Sequence, residues 1–174
     1  MEAPTSKPTR PTEADDALSI LAYRLGPLLK AVYLHGSAVG QGLRRQSDVD
    51  LLAVMKGPLS TSVREHLATD LMAVSGRHPF DSLGRRPLEI IIFQAANLAR
   101  LQYPACAEFV YGEWLRDAFT NGAVPHAEAN PEFTLVLAQA RREALPMIGP
   151  DLATLFRTFL SPVYAARLAI CCQC

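Results

Sequence analysis

A short apolar segment that begins with two carboxylates constrains this chain more than any other feature. Residues Val49–Met55 read VDLLAVM, and Asp48 and Asp50 flank Val49 at its start. An apolar run of this length, followed by the break at Gly57-Pro58, predicts a strand buried on both faces. Because side chains alternate across a strand, we expect Asp48 and Asp50 on one face and Val49 on the other.

The two neighbouring carboxylates predict a cation site. Like charges side by side repel each other unless a cation neutralises them. Mg²⁺ typically takes one or two carboxylates together with substrate phosphate oxygens, so Asp48 and Asp50 are candidate magnesium ligands. A third carboxylate, Glu89, lies within the apolar run LEIIIF of residues 88–93. An unpaired charge inside a strand is costly, so Glu89 either borders the metal site as ligand or base, or faces solvent on an edge strand.

A glycine-serine pair follows the predicted strand at Ala31–His35. Backbone N–H groups and the Ser37 hydroxyl, placed where the chain leaves a sheet after Gly36, form a candidate phosphate cradle. No Gly-Lys-Ser/Thr follows, so this is not a Walker A loop. Taken alone the pair is a weak signal, and an ordinary turn explains it.

The rest of the pattern predicts an α/β (α+β) domain with a small mixed sheet of about three to five strands flanked by helices. A further strand is expected at residues 88–93, followed by short helical or irregular pieces through Tyr103-Pro104 and Tyr111–Trp114. Apolar periodicity and capping residues predict helices over residues 13–25, from Ser60 to Gly76, and from Asn130-Pro131 to about Met147, with Pro146 tolerated or kinking the last one.

Composition excludes several classes of function. Lys plus Arg and Asp plus Glu both number 17, so no net field attracts nucleic acid or an acidic membrane surface. No stretch approaches the roughly 20 apolar residues of a membrane span, and the N-terminus lacks the apolar segment of a secretory signal. We therefore expect a cytoplasmic protein with no nucleic-acid or membrane partner. Cys171, Cys172 and Cys174 crowd the last four positions, which indicates a thiol-bearing tail rather than a disulfide framework or zinc site.

In combination these motifs identify a protein family far more specifically than any one of them does alone. Gly36-Ser37, ten intervening residues and Asp48-x-Asp50 on a strand, with a later strand carboxylate, resemble the DNA polymerase β-like nucleotidyltransferase superfamily. The segment HGSAVGQGLRRQSDVDLLAV is similar to the aminoglycoside 3''-adenylyltransferase branch, which acts on streptomycin and spectinomycin. Three further segments resemble parts of that family: PLEIIIF, YPACAEFVYGEW and LVLAQARREALPMIGPDLATLF. The resemblance runs from about residue 15 to about residue 156 and implies the polymerase β-like palm fold.

The resemblance implies a reaction and its participants. The family transfers AMP from ATP to a hydroxyl of an aminoglycoside antibiotic, streptomycin and/or spectinomycin, with Mg²⁺ as cofactor, and so confers antibiotic resistance. A monomer is expected for the full-length family. The residues that it assigns are Gly36, Ser37 and Ser47 for phosphate contacts, Asp48 and Asp50 as metal ligands, Glu89 as general base and metal ligand, and Trp114 in the antibiotic cleft.

Three residues near these motifs have ordinary structural explanations as well. Trp114, the only tryptophan, is by type more often a core or packing aromatic, although its Gly-Glu-Trp context favours the cleft. Glu113 could offer a carboxylate to a cationic antibiotic, but we expect a solvated surface glutamate. His35 is expected to be a packed residue at a strand end rather than a catalyst.

The chain departs from the family near its C-terminus. In the resembling enzymes a helical domain follows the nucleotidyltransferase domain, and ATP and antibiotic bind between them, whereas here the similarity fades after Phe156. We therefore predict a missing helical domain, lost through a frameshift, premature stop or cassette junction, and weak or absent activity. The predicted divisions are a disordered leader at 1–12, the catalytic domain at 13–128, the start of a helical region at 129–160 and an atypical tail at 161–174.

Two other functions remain open at this point. One is a minimal nucleotidyltransferase that acts on a protein or RNA, as in toxin–antitoxin systems. The other is an inactive remnant that serves only as an interaction module. The neutral charge and the Gly-Glu-Trp segment favour the antibiotic-modifying enzyme over an RNA-directed one, and the intact Asp48, Asp50 and Glu89 argue against a pure binding role.

Overall fold

The computed structural model describes residues 10–40, 47–79, 81–100 and 102–155. Most of the predicted leader lies outside these residues, as do the whole predicted tail and its three cysteines. None of the helices in the described ranges is both long and apolar enough to cross a membrane.

The part of the chain that the structure describes forms a five-stranded mixed sheet and a two-stranded one. In the large sheet two neighbouring strands run parallel, and the other neighbours are antiparallel. This architecture confirms the predicted small mixed sheet. Its order is β5-β3-β2-β1-β7, with β1 at Leu29–His35, β2 at Val49–Met55, β3 at Leu88–Gln94, β5 at Phe109–Gly112 and β7 at Leu145–Ile148. The small sheet pairs β4, Cys106–Ala107, with β6, Glu128–Ala129.

Helices cover both faces of the large sheet. The predicted helices near the N-terminus and after Ser60 are confirmed, and the Ser60 hydroxyl caps the second by accepting a bond from the Val63 N–H at 3.4 Å. The helices are α1 at Thr12–Leu25, α2 at Thr61–Val74, α3 at Ala95–Ala99, α4 at Arg116–Thr120, α5 at Pro131–Glu143 and α6 at Leu152–Leu155.

The two faces of the sheet contribute to two separate apolar cores. On one face Leu51 and Ile90 pack with residues of α1 and α2. On the other face Leu52 and Ile91 pack with Leu137 and other residues of α5. Because side chains alternate along each strand, the even-numbered residues of β2 and the odd-numbered residues of β3 face α5. This alternation decides on which face each acidic residue lies.

The end of α5 differs from the prediction. We expected the helix to continue to about Met147, but it ends at Glu143, and Leu145–Ile148 form strand β7 against β1. Pro146 lacks the N–H that a helix interior needs but is tolerated on an edge strand. Since α5 and β7 complete the sheet and its core, both pack as parts of the same unit as β1–β3. The predicted domain division at residue 128 remains a prediction.

Strand β5 was not predicted. It pairs antiparallel with β3 over four residues, from Glu89↔Gly112 to Ile92↔Phe109. A strand so short leaves little alternation to detect in the sequence. Its presence places β3 between two neighbours, so Glu89 does not lie on an edge strand, and the edge-strand explanation of this glutamate is wrong.

Candidate active site

Asp50 and Glu89 are direct neighbours across the parallel pair of strands. Their α-carbons are partners in the β2–β3 register, and adjacent strands lie about 4.8 Å apart. By the alternation of each strand, both side chains project from the face that carries α5. Asp48 precedes β2, and all three acidic residues are half-buried. The structure therefore brings together the three carboxylates that the sequence singled out.

These carboxylates oppose one another's ionisation. Burial, then Glu89 and Asp48, raise the pKa of Asp50 to about 7. Burial, followed by Asp48 and Glu132, raises the pKa of Glu89. The pKa of Asp48 is also raised, mainly by burial, while His78 acts in the opposite direction. A cluster of this kind carries a repulsion that protonation or a bound cation would relieve.

The glycine-serine pair lies directly against Asp50. Residues Gly36–Ala38 form one turn of 3₁₀ helix, and Gly36 has a φ of 66°. A β-carbon on Gly36 would stand 2.1 Å from Asp50 Oδ2, so glycine is required here for space as well as for conformation. The Ser37 N–H donates to the Asp50 carboxylate, which partly offsets the rise in its pKa. The turn and the acidic cluster thus form one site.

The donor set fits a hard divalent cation that takes only part of its ligands from the protein. Among the described residues, no group of three or more His, Cys, Asp or Glu side chains is arranged to hold a metal ion by itself. Mg²⁺ usually keeps waters and binds substrate phosphates in addition to one or two carboxylates. Half-buried carboxylates with raised pKa values suit this way of binding Mg²⁺. The metal-binding roles of Asp48, Asp50 and Glu89, and the phosphate contact of half-buried Ser47, remain predictions.

Trp114 is a surface residue beside the cluster. Its side chain is 62% exposed, so the interpretation as a core aromatic is wrong. The indole ring lies against Gly112, where a β-carbon would come within 2.3 Å of two ring atoms. Because Gly112 is the register partner of Glu89, the ring stands next to the strand position of that carboxylate.

A cleft of about 440 Å³ extends between Asp48 and Trp114. This volume lies within the range of small-molecule sites. Sequence reasoning missed Arg77 and His78, which reach the cleft from the loop after α2; no local pattern marks them. The lining residues are Asp48, Arg77, His78, Pro87, Glu113, Trp114, Arg116 and Asp117.

Glu113 is not the solvated glutamate that we expected. Its side chain is 9% exposed and forms a salt bridge with Arg116. Its other carboxylate oxygen accepts bonds from the Ser75 hydroxyl at 3.2 Å and the Tyr111 hydroxyl at 3.5 Å. These partners hold the carboxylate in place at the cleft wall, so its first role is to fix the turn that carries Trp114.

His35 is a packed residue at the end of β1, as predicted. It is 6% exposed, and burial lowers its pKa to about 4, with Glu143 acting weakly in the opposite direction. Its Nε2 atom has no hydrogen-bond partner among the described residues. A neutral, buried imidazole of this kind does not supply a charge to the neighbouring Asp50.

Comparisons with known proteins agree with this geometry. No protein-family model matches the chain. A spectinomycin 9-adenylyltransferase from Staphylococcus aureus is 41% identical over 142 residues, which cover 81% of this chain and 54% of the relative. An aminoglycoside (3'') (9) adenylyltransferase from Klebsiella pneumoniae is 32% identical over 145 residues, 83% of this chain and 55% of the relative. The chain is a homologue of the aminoglycoside adenylyltransferases.

A solved structure extends the likeness to three dimensions. The crystal structure of an Enterococcus spectinomycin adenyltransferase with ATP and spectinomycin matches with a TM-score of 0.83 and 29% identity. The match covers 91% of this chain and 64% of that one. It confirms the nucleotidyltransferase fold that the sequence motifs indicated. The chain spans about half the length of the curated aminoglycoside adenylyltransferases that it matches.

Proposed function

We propose that this chain carries the catalytic part of an adenylyltransferase, which transfers AMP from ATP to a hydroxyl of an aminoglycoside antibiotic and so confers resistance. The proposal rests on one observation: Asp50 and Glu89 are register partners beside the Gly36-Ser37 turn. The names of the homologues, and the ATP and spectinomycin bound in the related crystal structure, support an aminoglycoside such as spectinomycin as the acceptor. Streptomycin is proposed on the sequence resemblance alone.

The acidic cluster and the turn after Gly36 have different roles in binding the nucleotide. Asp48, Asp50 and Glu89 would hold Mg²⁺, which would neutralise charge on the ATP phosphates when bound. The N–H groups of the turn after Gly36 and the hydroxyls of Ser37 and Ser47 would contact phosphate oxygens.

In this proposal Glu89 acts as the general base. The acceptor hydroxyl oxygen forms a bond to the α-phosphorus of ATP, and the bond from that phosphorus to the bridging oxygen of the β-phosphate breaks, so pyrophosphate leaves. Glu89 takes the hydroxyl proton. Its pKa, raised by burial and by Asp48, makes it a stronger base than an exposed glutamate, provided that it is ionised when the acceptor arrives.

The cleft supplies the acceptor side of the site. Exposed Trp114 presents an apolar face to a ring, and the cleft extends from it to Asp48. Glu89 is not among the residues that line the cleft, so in this proposal the acceptor extends its hydroxyl beyond the cleft towards the strand position of Glu89. In this proposal the catalytic unit includes α5 and β7, because α5 packs on the sheet and β7 pairs with β1.

The test is pyrophosphate release with Mg²⁺-ATP and either streptomycin or spectinomycin. We expect weak antibiotic-dependent release by the wild-type chain, as the sequence predicts, and a fall of at least about 100-fold in Asp50→Ala and Glu89→Gln, the order typical of a lost catalytic group. Exposed Glu65→Gln provides a matched control that should retain full activity. Release that ignores the antibiotic, or labelled AMP that appears on protein or RNA, would contradict this proposal.

A further inference from the structure

The last residue of β5, Gly112, faces the same side of the sheet as the proposed base. Directly opposed residues of an antiparallel pair have β-carbons about 4.5 to 5.5 Å apart and project from one face. Gly112 is opposed to Glu89 in this way. Any side chain at position 112 would therefore enter the space next to the Glu89 carboxylate, and glycine leaves that space free.

The indole of Trp114 fills the space that Gly112 leaves. A β-carbon at Gly112 would lie 2.3 Å from Trp114 Cη2 and Cζ3 and 2.5 Å from Cζ2. All three distances are far below van der Waals contact, so alanine at position 112 and the present ring position are incompatible. The ring is nevertheless 62% exposed, because only the part that touches Gly112 is covered. Trp114 therefore presents an exposed aromatic face, and its contact with Gly112 (the Trp114 seat) fixes the position of the ring.

The backbone on both sides of Trp114 is fixed to α2. Arg116 pairs with Glu113 and also donates to the carbonyl oxygens of Met72 at 3.0 Å and Ser75 at 3.2 Å. The Ser75 hydroxyl in turn donates to Glu113. These hydrogen bonds fix the turn that carries Trp114, and the contact with Gly112 then sets the position of the indole ring.

We propose that Gly112 is a positioning residue for the acceptor. By lacking a side chain it lets the Trp114 ring lie beside Glu89, so that a ring stacked on the indole presents its hydroxyl to that carboxylate. This inference rests on the proposed function, and it adds a residue that touches neither nucleotide nor metal.

The first test uses the fluorescence of the sole tryptophan, with no need for turnover. Gly112→Ala should push the ring off its seat, with a red-shifted emission and faster quenching by acrylamide than in wild type. The control is Gly57→Ala, because no described atom lies within 4 Å of a β-carbon at that position. Emission and quenching unchanged in Gly112→Ala would overturn the proposal.

The second test decides whether Gly112→Ala acts by displacing the Trp114 ring or by disturbing the strand backbone. In active protein Gly112→Ala should raise the KM for spectinomycin about tenfold and leave the KM for ATP unchanged. In a Trp114→Ala background the same glycine substitution should not raise the KM for spectinomycin further, because its clash partner is gone. A further loss in that background, or an equal rise in the KM for ATP, would refute the positioning role.

The two proposals fail in different ways. If the wild-type chain transfers no AMP to any antibiotic, the proposed function is wrong, while the fluorescence comparison still decides whether Gly112 seats the ring. If transfer proceeds normally and Gly112→Ala matches wild type in emission and in the KM for spectinomycin, the seat is wrong and the proposed function stands.

Discussion

Replacing Asp50 with asparagine should stabilise the metal-free protein at slightly alkaline pH, although Asp50 is central to the proposed site. Burial and the neighbouring Glu89 and Asp48 raise its pKa from 3.8 to about 7. The folded protein therefore holds a proton that the unfolded chain has already released. Between about pH 4 and pH 7 folding takes up this proton, so the stability contributed by Asp50 falls as pH rises through that window.

The magnitude follows from the pKa change. A rise from 3.8 to about 7 corresponds to a ceiling of about 4 kcal/mol above pH 7, at about 1.4 kcal/mol for each pH unit. Asparagine recovers only part of this, because its amide is also half-buried and its bond from the Ser37 N–H is weaker than that of a carboxylate. We expect a gain of about 2 kcal/mol, which corresponds to a melting temperature about 4 to 8 °C higher for a chain of this size.

Thermal unfolding followed by circular dichroism in EDTA, at about pH 8 and about pH 5, measures this gain. The advantage of Asp50→Asn over wild type should be largest at the higher pH and clearly smaller at the lower one. Exposed Asp16→Asn is the matched control and should show no such pH-dependent gain. A variant that is less stable than wild type at pH 8, or equally shifted at both pH values, would show that the fold does not raise the pKa of Asp50.

Two further predictions concern the same cluster. Mg²⁺ should raise the melting temperature of the wild-type protein more at pH 8 than at pH 5, because protons compete for the carboxylates, and Asp50→Asn should lose most of this effect; an equal response in the variant would argue against binding at Asp50. Gly36→Ala should lower stability by about 1 to 3 kcal/mol in urea unfolding, because alanine is strained at a φ of 66° and its β-carbon would meet Asp50 Oδ2 at 2.1 Å. Gly57→Ala, with no described neighbour within 4 Å, should match wild type.

The parts of the fold that the sequence predicted are those that depend on local pattern. The apolar runs of β2 and β3 are each long enough to identify a buried strand, and Asp48 and Asp50 are separated by one residue. Ser60 and Asn130 cap their helices through neighbours two or three residues away. Each of these signals lies within one element, so a single sequence contains all of it.

The parts that were missed depend on contacts between distant segments. Pro146 is compatible with a helix end or an edge strand, and pairing with β1 selects the strand. The environment of Glu113 is set by Ser75, which is 38 residues away along the chain. The lone Trp114 gives no local indication of exposure, because its position depends on the pairing of Gly112 with β3. No periodicity within one element encodes these outcomes.

The rigidity of the sheet explains why the acidic cluster keeps its repulsion. Seven consecutive residue pairs join β2 to β3, from Val49↔Leu88 to Met55↔Gln94, and the side chains that follow Asp50 and Glu89 on the α5 face are buried and apolar. Sliding one strand by a residue would separate the two carboxylates but would also turn every apolar side chain to the opposite face. The Asp50 carboxylate cannot move away from Glu89 towards the turn either, because Gly36 already lies against it. Relief must therefore come from a proton or a cation, and the same geometry that destabilises the empty site creates its affinity for positive charge.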